Sequence, residues 1–102
     1  MNQLDVTRRA KVFKALSDPT RLQIVEFLAD GTEKTGKDIA DAVGITLALL
    51  CHHTGALEEA GILVKRKQGQ SCYHRLDRPT LETCLSSLGD GPGLGNSKPE
   101  GA

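Results

Sequence analysis

Residues 44–76 read GITLALLCHHTGALEEAGILVKRKQGQSCYHRL, a helical run followed without a linker by a basic stretch in strand-like alternation. Thr46 suits a helix cap, and Ala60-Gly61 is a stop signal that ends the helix. The strands fall at about 62–67 and 71–76, on either side of the polar turn Gln68-Gly69-Gln70. In the second strand Cys72, His74 and Leu76 share one face, while Ser71, Tyr73 and Arg75 share the other. A helix able to lie in a groove, with a basic hairpin to flank it, is the outline of a winged helix-turn-helix. The dominant use of that unit is to read double-stranded DNA.

The rest of the chain supplies what such a unit needs. Residues from about 5 to 16 carry Val6, Ala10, Val12, Phe13 and Leu16 at helical spacing. Ser17-Asp18-Pro19 then breaks the chain: proline fits the first turn of the next helix, and Asp18 or Ser17 can cap it. That helix has a mostly buried pattern, with Leu22, Ile24, Val25, Phe27 and Leu28, and is expected to end near Asp30-Gly31. Thr35-Gly36-Lys37-Asp38 is similar to a capping box and opens a short helix to Val43, with Ile39, Ala40 and Val43 facing in. Gly44 terminates it.

After the hairpin, Pro79 opens a last helix with Leu81, Cys84, Leu85 and Leu88 at i, i+3, i+4 and i+7. From Gly89 the chain reads GDGPGLGNSKPEGA, with five glycines and two prolines in fourteen residues, which predicts a disordered tail over 89–102. The expectation is one domain over residues 1–88, mostly α with a β-hairpin wing, in the order α-α-α-α-β-β-α.

Thirteen basic and thirteen acidic side chains cancel, so a general polycation that coats nucleic acid is excluded. Positive charge is local instead: Lys65, Arg66, Lys67 and Arg75 fall within eleven residues that contain no acid. No apolar run approaches eighteen residues and no signal peptide is evident, which predicts a soluble cytoplasmic protein without a membrane partner. Three widely spaced cysteines without a CxxC do not form a disulfide framework. No catalytic triad order, phosphate loop or paired carboxylates point to an enzyme.

The run Phe13-Lys14-Ala15-Leu16-Ser17-Asp18-Pro19-Thr20-Arg21-Leu22 resembles the opening of the ArsR/SmtB family of small dimeric repressors. So do Ala40 to Gly61, with His52-His53 and Leu57-Glu58-Glu59-Ala60-Gly61, and the hairpin Arg66-Lys67-Gln68-Gly69-Gln70-Ser71. The match runs in order over about residues 10–77, which makes it more specific than any single motif. The resemblance implies a homodimer paired through its first and last helices, placing Val12, Phe13, Leu81, Cys84, Leu85 and Leu88 at the interface. It implies that residues 46–60 form the recognition helix, and that an inducer, often a metal ion, releases the protein from its operator.

On that helix the groove-facing set is Thr46, Leu47, Ala48, Leu49, Cys51 and His52. Polar residues are usual at several of these places in the resembled family. Here Leu47, Ala48 and Leu49 can read thymine methyls but make no bidentate contacts. Specificity is therefore expected to lean on His52, Thr46, the wing and DNA shape. A second reading has Leu47 and Leu49 partly in the core, with only His52 toward the groove. Lys65, Arg66, Lys67, Gln68 and Gln70 would flank the duplex, and Thr35 and Lys37 would meet its backbone. Lys37 is equally readable as a solvated surface lysine.

Neither recurrent metal site of the resembled family is legible. The segment before the recognition helix, Lys37-Asp38-Ile39-Ala40-Asp41-Ala42, has no thiol, and the last helix has no histidine. His52 and His53 diverge by about 100° on a helix and cannot easily share an ion. No metal or cofactor is expected, although a metal or metalloid response through a non-standard site stays open. Cys51, Cys72 and Cys84 are the candidate redox sensors, Cys51 foremost, against the plainer reading of an unreactive residue. A winged-helix protein-interaction module without a DNA role is the competing function.

Overall fold

A computed structural model describes residues 5–89 of the 102. Helix α1 spans Val6–Leu16, α2 Pro19–Phe27, α3 Gly36–Val43, α4 Leu47–Glu59 and α5 Arg78–Gly89. Strands β1 (Lys34–Thr35), β2 (Leu63–Gln68) and β3 (Ser71–Leu76) form one antiparallel sheet in the order β1-β3-β2. Over the described residues this is a winged helix-turn-helix with five helices.

Local chemistry sets most of the boundaries. Asp18 caps α2 by accepting from the Arg21 amide at 3.1 Å, and Pro19 fills the first helical position. Thr35 caps α3 through the Asp38 amide, and Thr46 caps α4 through the Leu49 amide, both at 3.1 Å. Each such cap is worth about 1 kcal/mol. The hairpin closes through a two-residue turn with Gly69 at φ 62°, the positive φ that a tight hairpin demands. Its register pairs Leu63 with Leu76 and Gln68 with Ser71. His74 and Leu76 are buried and Ser71 and Arg75 exposed, as the alternation predicts.

Four particulars differ from the sequence reading. Helix α2 ends at Phe27, before Asp30-Gly31, and the chain turns through Leu28 to Gly31. Within α2 only Ile24 and Val25 are buried, joined by Leu28 at its cap; Leu22 and Phe27 are exposed. Strand β1 is additional: Lys34 pairs with His74 and Thr35 with Tyr73, a ladder too short to leave a periodic signal. Helix α5 begins at Arg78 and runs through Gly89, so the first residue of the expected tail is helical. The remainder of that tail lies outside the described residues.

The core joins α1 to α4 with the root of the wing. Ile24, Leu28, Ile39, Leu50, Leu57 and Ile62 are fully buried, as are Val12 and Cys84. Because Thr35 both pairs with β3 and caps α3, the wing and the start of the helix-turn-helix share one residue.

Candidate nucleic-acid interface

The chain bends by 105° between α3 and α4 across Gly44-Ile45-Thr46. That lies within the range of about 90–120° for two helices joined by a short turn containing glycine. Gly44 adopts φ 78°, and the amides of Gly44 and Ile45 both donate to the Ala40 carbonyl, at 2.8 and 3.0 Å. Helix α4 is thereby held against α3 with one face inward.

That inward face is Leu50, His53, Thr54 and Leu57. The outward face carries Leu47, Ala48, Leu49, Cys51 and His52, with Leu47 54% and Leu49 43% exposed. Leu47 and Leu49 are thus exposed in the single chain and are not among its buried core residues. The two histidines separate as helical geometry requires. His52 is exposed, whereas His53 is buried with its Nδ1 accepting from Arg21 Nε at 3.1 Å.

The wing is less free than a row of cations suggests. Arg66 donates from Nε and Nη2 to the two carboxylate oxygens of Glu33 at 2.9 and 2.8 Å, and from Nη1 to Gln68 Oε1 at 2.6 Å. Its guanidinium also lies 4.7 Å from the Tyr73 ring centroid. This bidentate hydrogen bond holds the Glu33 carboxyl below the usual carboxylate range and raises Arg66 in turn. A phosphate that takes Arg66 has to displace Glu33. Lys65 Nζ stands 3.8 Å from Glu58, and Lys37 Nζ 3.3 Å from Asp41 with both side chains exposed. Lys67 has no ion-pair partner among the described residues, and Gln70 is exposed at the turn. Glu33 carried no sequence signal, because its partner Arg66 lies 33 positions along the chain.

The thiols fall in three environments: Cys51 exposed, Cys72 half-buried and Cys84 fully buried. Burial pushes the Cys84 thiol up, which disfavours its thiolate. Among the described residues no group of three or more His, Cys, Asp or Glu is placed to hold a metal ion. No single described helix is long and apolar enough to cross a membrane.

The expected interface residues also divide. Val12 and Cys84 are used up in the chain's own core and offer no surface; Phe13 and Leu81 pack partly against it. Leu85 and Leu88 remain 51% and 49% exposed on α5, which lies beside α1 through a 3.0 Å hydrogen bond from Arg9 Nη1 to Ser87 Oγ.

Comparison with known proteins places this geometry. Residues 18–65 match the model of a family described as bacterial regulatory protein, arsR family. The chain is 35% identical over 75 residues to the transcriptional repressor SdpR of Bacillus subtilis (strain 168), covering 74% of this chain and 82% of that one. It is 41% identical over 76 residues to a cadmium resistance transcriptional regulatory protein CadC homolog of Staphylococcus aureus, spanning 74% of this chain and 60% of that one. Among solved structures it is similar to the homodimeric winged helix-turn-helix DNA-binding domain of a possible ArsR-family transcriptional regulator from Mycobacterium bovis. That likeness has a TM-score of 0.68 and 28% identity, covering 86% of this chain and 88% of the other.

Proposed function

This chain belongs to the ArsR family of bacterial transcriptional regulators, and from that premise we propose that it is a homodimeric, operator-binding repressor released by oxidation of Cys51. It is a regulator and not an enzyme. The observation that carries the DNA reading is the outward face of α4, where Leu47, Ala48, Leu49, Cys51 and His52 are exposed and stand clear of the core. His52 is the base-edge reader; Thr46 and the leucines add shape and methyl contacts. Lys67, with Lys65, Gln68 and Gln70, anchors phosphates, and Arg66 joins them once Glu33 yields. Thr35 and Lys37 meet the backbone at the start of α3. Pairing through α1 and α5 covers Leu85 and Leu88 and sets the two α4 helices about one DNA turn, roughly 34 Å, apart. Such a protein works in the cytoplasm, where the chromosome is.

For release, peroxide transfers one oxygen to the Cys51 thiolate. The S–O bond forms, the O–O bond breaks, and hydroxide leaves with a sulfenic acid on the protein. Two small-molecule thiols reverse the step, yielding water and their disulfide. Oxidation enlarges and polarises a surface fitted to the groove, and losing two close contacts per half-site costs several kcal/mol, about 1 kcal/mol each. Cys72 is the second candidate; Cys84 is buried. The printed name of the Staphylococcus aureus relative concerns cadmium, and a metal or metalloid response is the alternative to the thiol switch; among the described residues of a single chain no group of three His, Cys, Asp or Glu is placed to hold an ion.

The test is fluorescence anisotropy on fragments of the chain's own promoter, across a salt series, reduced and then peroxide-treated. Salt-dependent binding that peroxide abolishes and dithiothreitol restores, with Cys51→Ser binding but unresponsive, is the expected result. A Cys51→Ser protein that responds like the parent overturns the switch. The exposed Leu47 and Leu49 favour one other reading, a protein-interaction module; a folded dimer that binds no promoter DNA at low salt would establish it.

A further inference from the structure

Helix α4 has two flanks. On the wing side a cleft of about 350 Å³ separates it from β3, with Cys51 and Gly55 on one wall and Cys72 on the other. On the opposite side a cleft of about 250 Å³ lies between α4 and the corner where α1 meets α2. Lys11, Lys14 and Arg21 line it from the corner, and Ala56, Glu59 and Ala60 from α4. Ala56 stands one turn along α4 from the exposed His52, so this second flank borders the face assigned to the groove.

The two flanks differ in how free their cations are. On the wing, Arg66 is held by Glu33, and Lys65 stands 3.8 Å from Glu58. On the other flank Arg8, Lys11, Lys14 and Arg21 form no ion pair among the described residues. Lys11 and Lys14 are exposed. Arg21 Nε donates to His53 Nδ1 at 3.1 Å, which fixes the guanidinium, and its two Nη groups have no hydrogen-bond partner among the described residues. A planar fork held at its root with its outer donors free suits a phosphate. Arg8 continues the row at the other end of α4: its Nη2 lies 3.5 Å from the point that a Cβ on Gly61 would occupy. The carboxylates beside these four cations are Glu59 and Asp18, and Asp18 is committed to the Arg21 amide. The row is also distinct from the side of α1 expected to pair with a second copy. At 3.6 residues per turn, Lys11 lies about 140° around the helix from Val6 and about 160° from Phe13.

We propose that this flank is a second phosphate-binding surface, on which Arg8, Lys11, Lys14 and Arg21 hold the DNA backbone on the side of α4 away from the wing. The inference rests on the operator-binding reading above and adds to it a clamp on both edges of the groove that α4 enters. Contact here costs no displaced carboxylate, whereas Arg66 must first leave Glu33. A free phosphate would occupy one or two of these cations; a row of four beside the groove-facing helix matches a polyanion.

The experiment compares the full chain with a Lys11→Gln/Lys14→Gln variant, which removes two exposed charges and keeps good helix formers. Anisotropy on the promoter fragment and on random DNA across a salt series is combined with phosphate ethylation interference on the promoter fragment. Affinity should fall at least tenfold on both DNAs at low salt, and the salt slope should drop by about two units, one for each lysine. Interference should vanish at one set of phosphates and persist at the set that Lys67→Ala removes. If the double variant fails to fold by circular dichroism, the single variants Lys11→Gln and Lys14→Gln carry the same test at about one unit of slope each. A folded variant with the parent's affinity and slope, or a loss of affinity with an unchanged interference pattern, would overturn the proposal and leave the DNA reading standing. Pyrophosphate that binds the parent but not the variant, while DNA binding stays the same, would make the flank a small-anion site and also overturn it. A parent that binds no DNA at low salt refutes both readings.

Discussion

Replacing Gly55 by alanine should stabilise the protein. Gly55 is within α4 at a helical backbone conformation, and a methyl group added there would have no heavy atom within 4 Å. No steric term opposes the change. The gain comes from the unfolded chain, which loses conformational freedom when glycine becomes alanine, and amounts to about 0.5–1 kcal/mol. For a domain of this size 1 kcal/mol corresponds to about 4–8 °C in Tm, so the melting midpoint should rise by about 2–8 °C. Circular dichroism at 222 nm on parent and variant measures it, at one protein concentration because dimerisation makes Tm concentration-dependent. DNA affinity should change little, since the methyl is small against the cleft. A fall in Tm would refute the reasoning: it would mean that a second copy or a different backbone geometry occupies the space beside Gly55.

Three further outcomes follow from the same geometry. His52→Ala should weaken binding to the preferred operator more than to random DNA, whereas Lys67→Ala should weaken both alike and reduce the salt slope by about one unit; anisotropy on the two sequences shows whether reader and anchor are reversed. Leu85→Glu should yield a folded monomer in sedimentation equilibrium at micromolar concentration, because Leu85 is half exposed in the single chain, and a persisting dimer would move the interface off α5. Asp30 accepts from the Thr32 amide and from Lys34, which lowers its pKa from 3.8 to about 2. A depressed native value means that this contribution is complete above 3.8 and is lost as pH falls towards 2; an NMR titration with a carboxyl midpoint near 4 would show the turn is not formed as described.

Much of the DNA-binding unit is legible in the order of residues because its signals act within about four positions. The caps at Thr35 and Thr46, the left-handed stop at Gly44 and the alternation of Cys72, His74 and Leu76 are local hydrogen-bonding and steric preferences, each readable directly, while at α2 the sequence left Asp18 and Ser17 open as caps and the structure uses Asp18. The separation of His52 from His53 follows likewise from 100° per residue. What the fold alone decided lies between segments distant along the chain. Glu33 clasps Arg66 across 33 positions, turning an apparent free cation into one that must be released. Strand β1 exists only because β3 offers it a ladder, and in pairing there it carries Thr35 to the wing.

The apolar stripe of α5 shows the same division within four residues. Leu81, Cys84, Leu85 and Leu88 are equivalent to a helical period, but α1 and the core cover Cys84 completely and leave Leu85 and Leu88 half exposed. Periodicity gives the angle at which a side chain leaves its helix; which neighbour stands there is settled by packing, where burial of apolar area is optimised over the whole chain at once. His74 Nδ1, without a hydrogen-bond partner among the described residues, and the cleft that Gly55 and Cys72 line belong to that second class, since neither residue says by itself what the opposite wall will be.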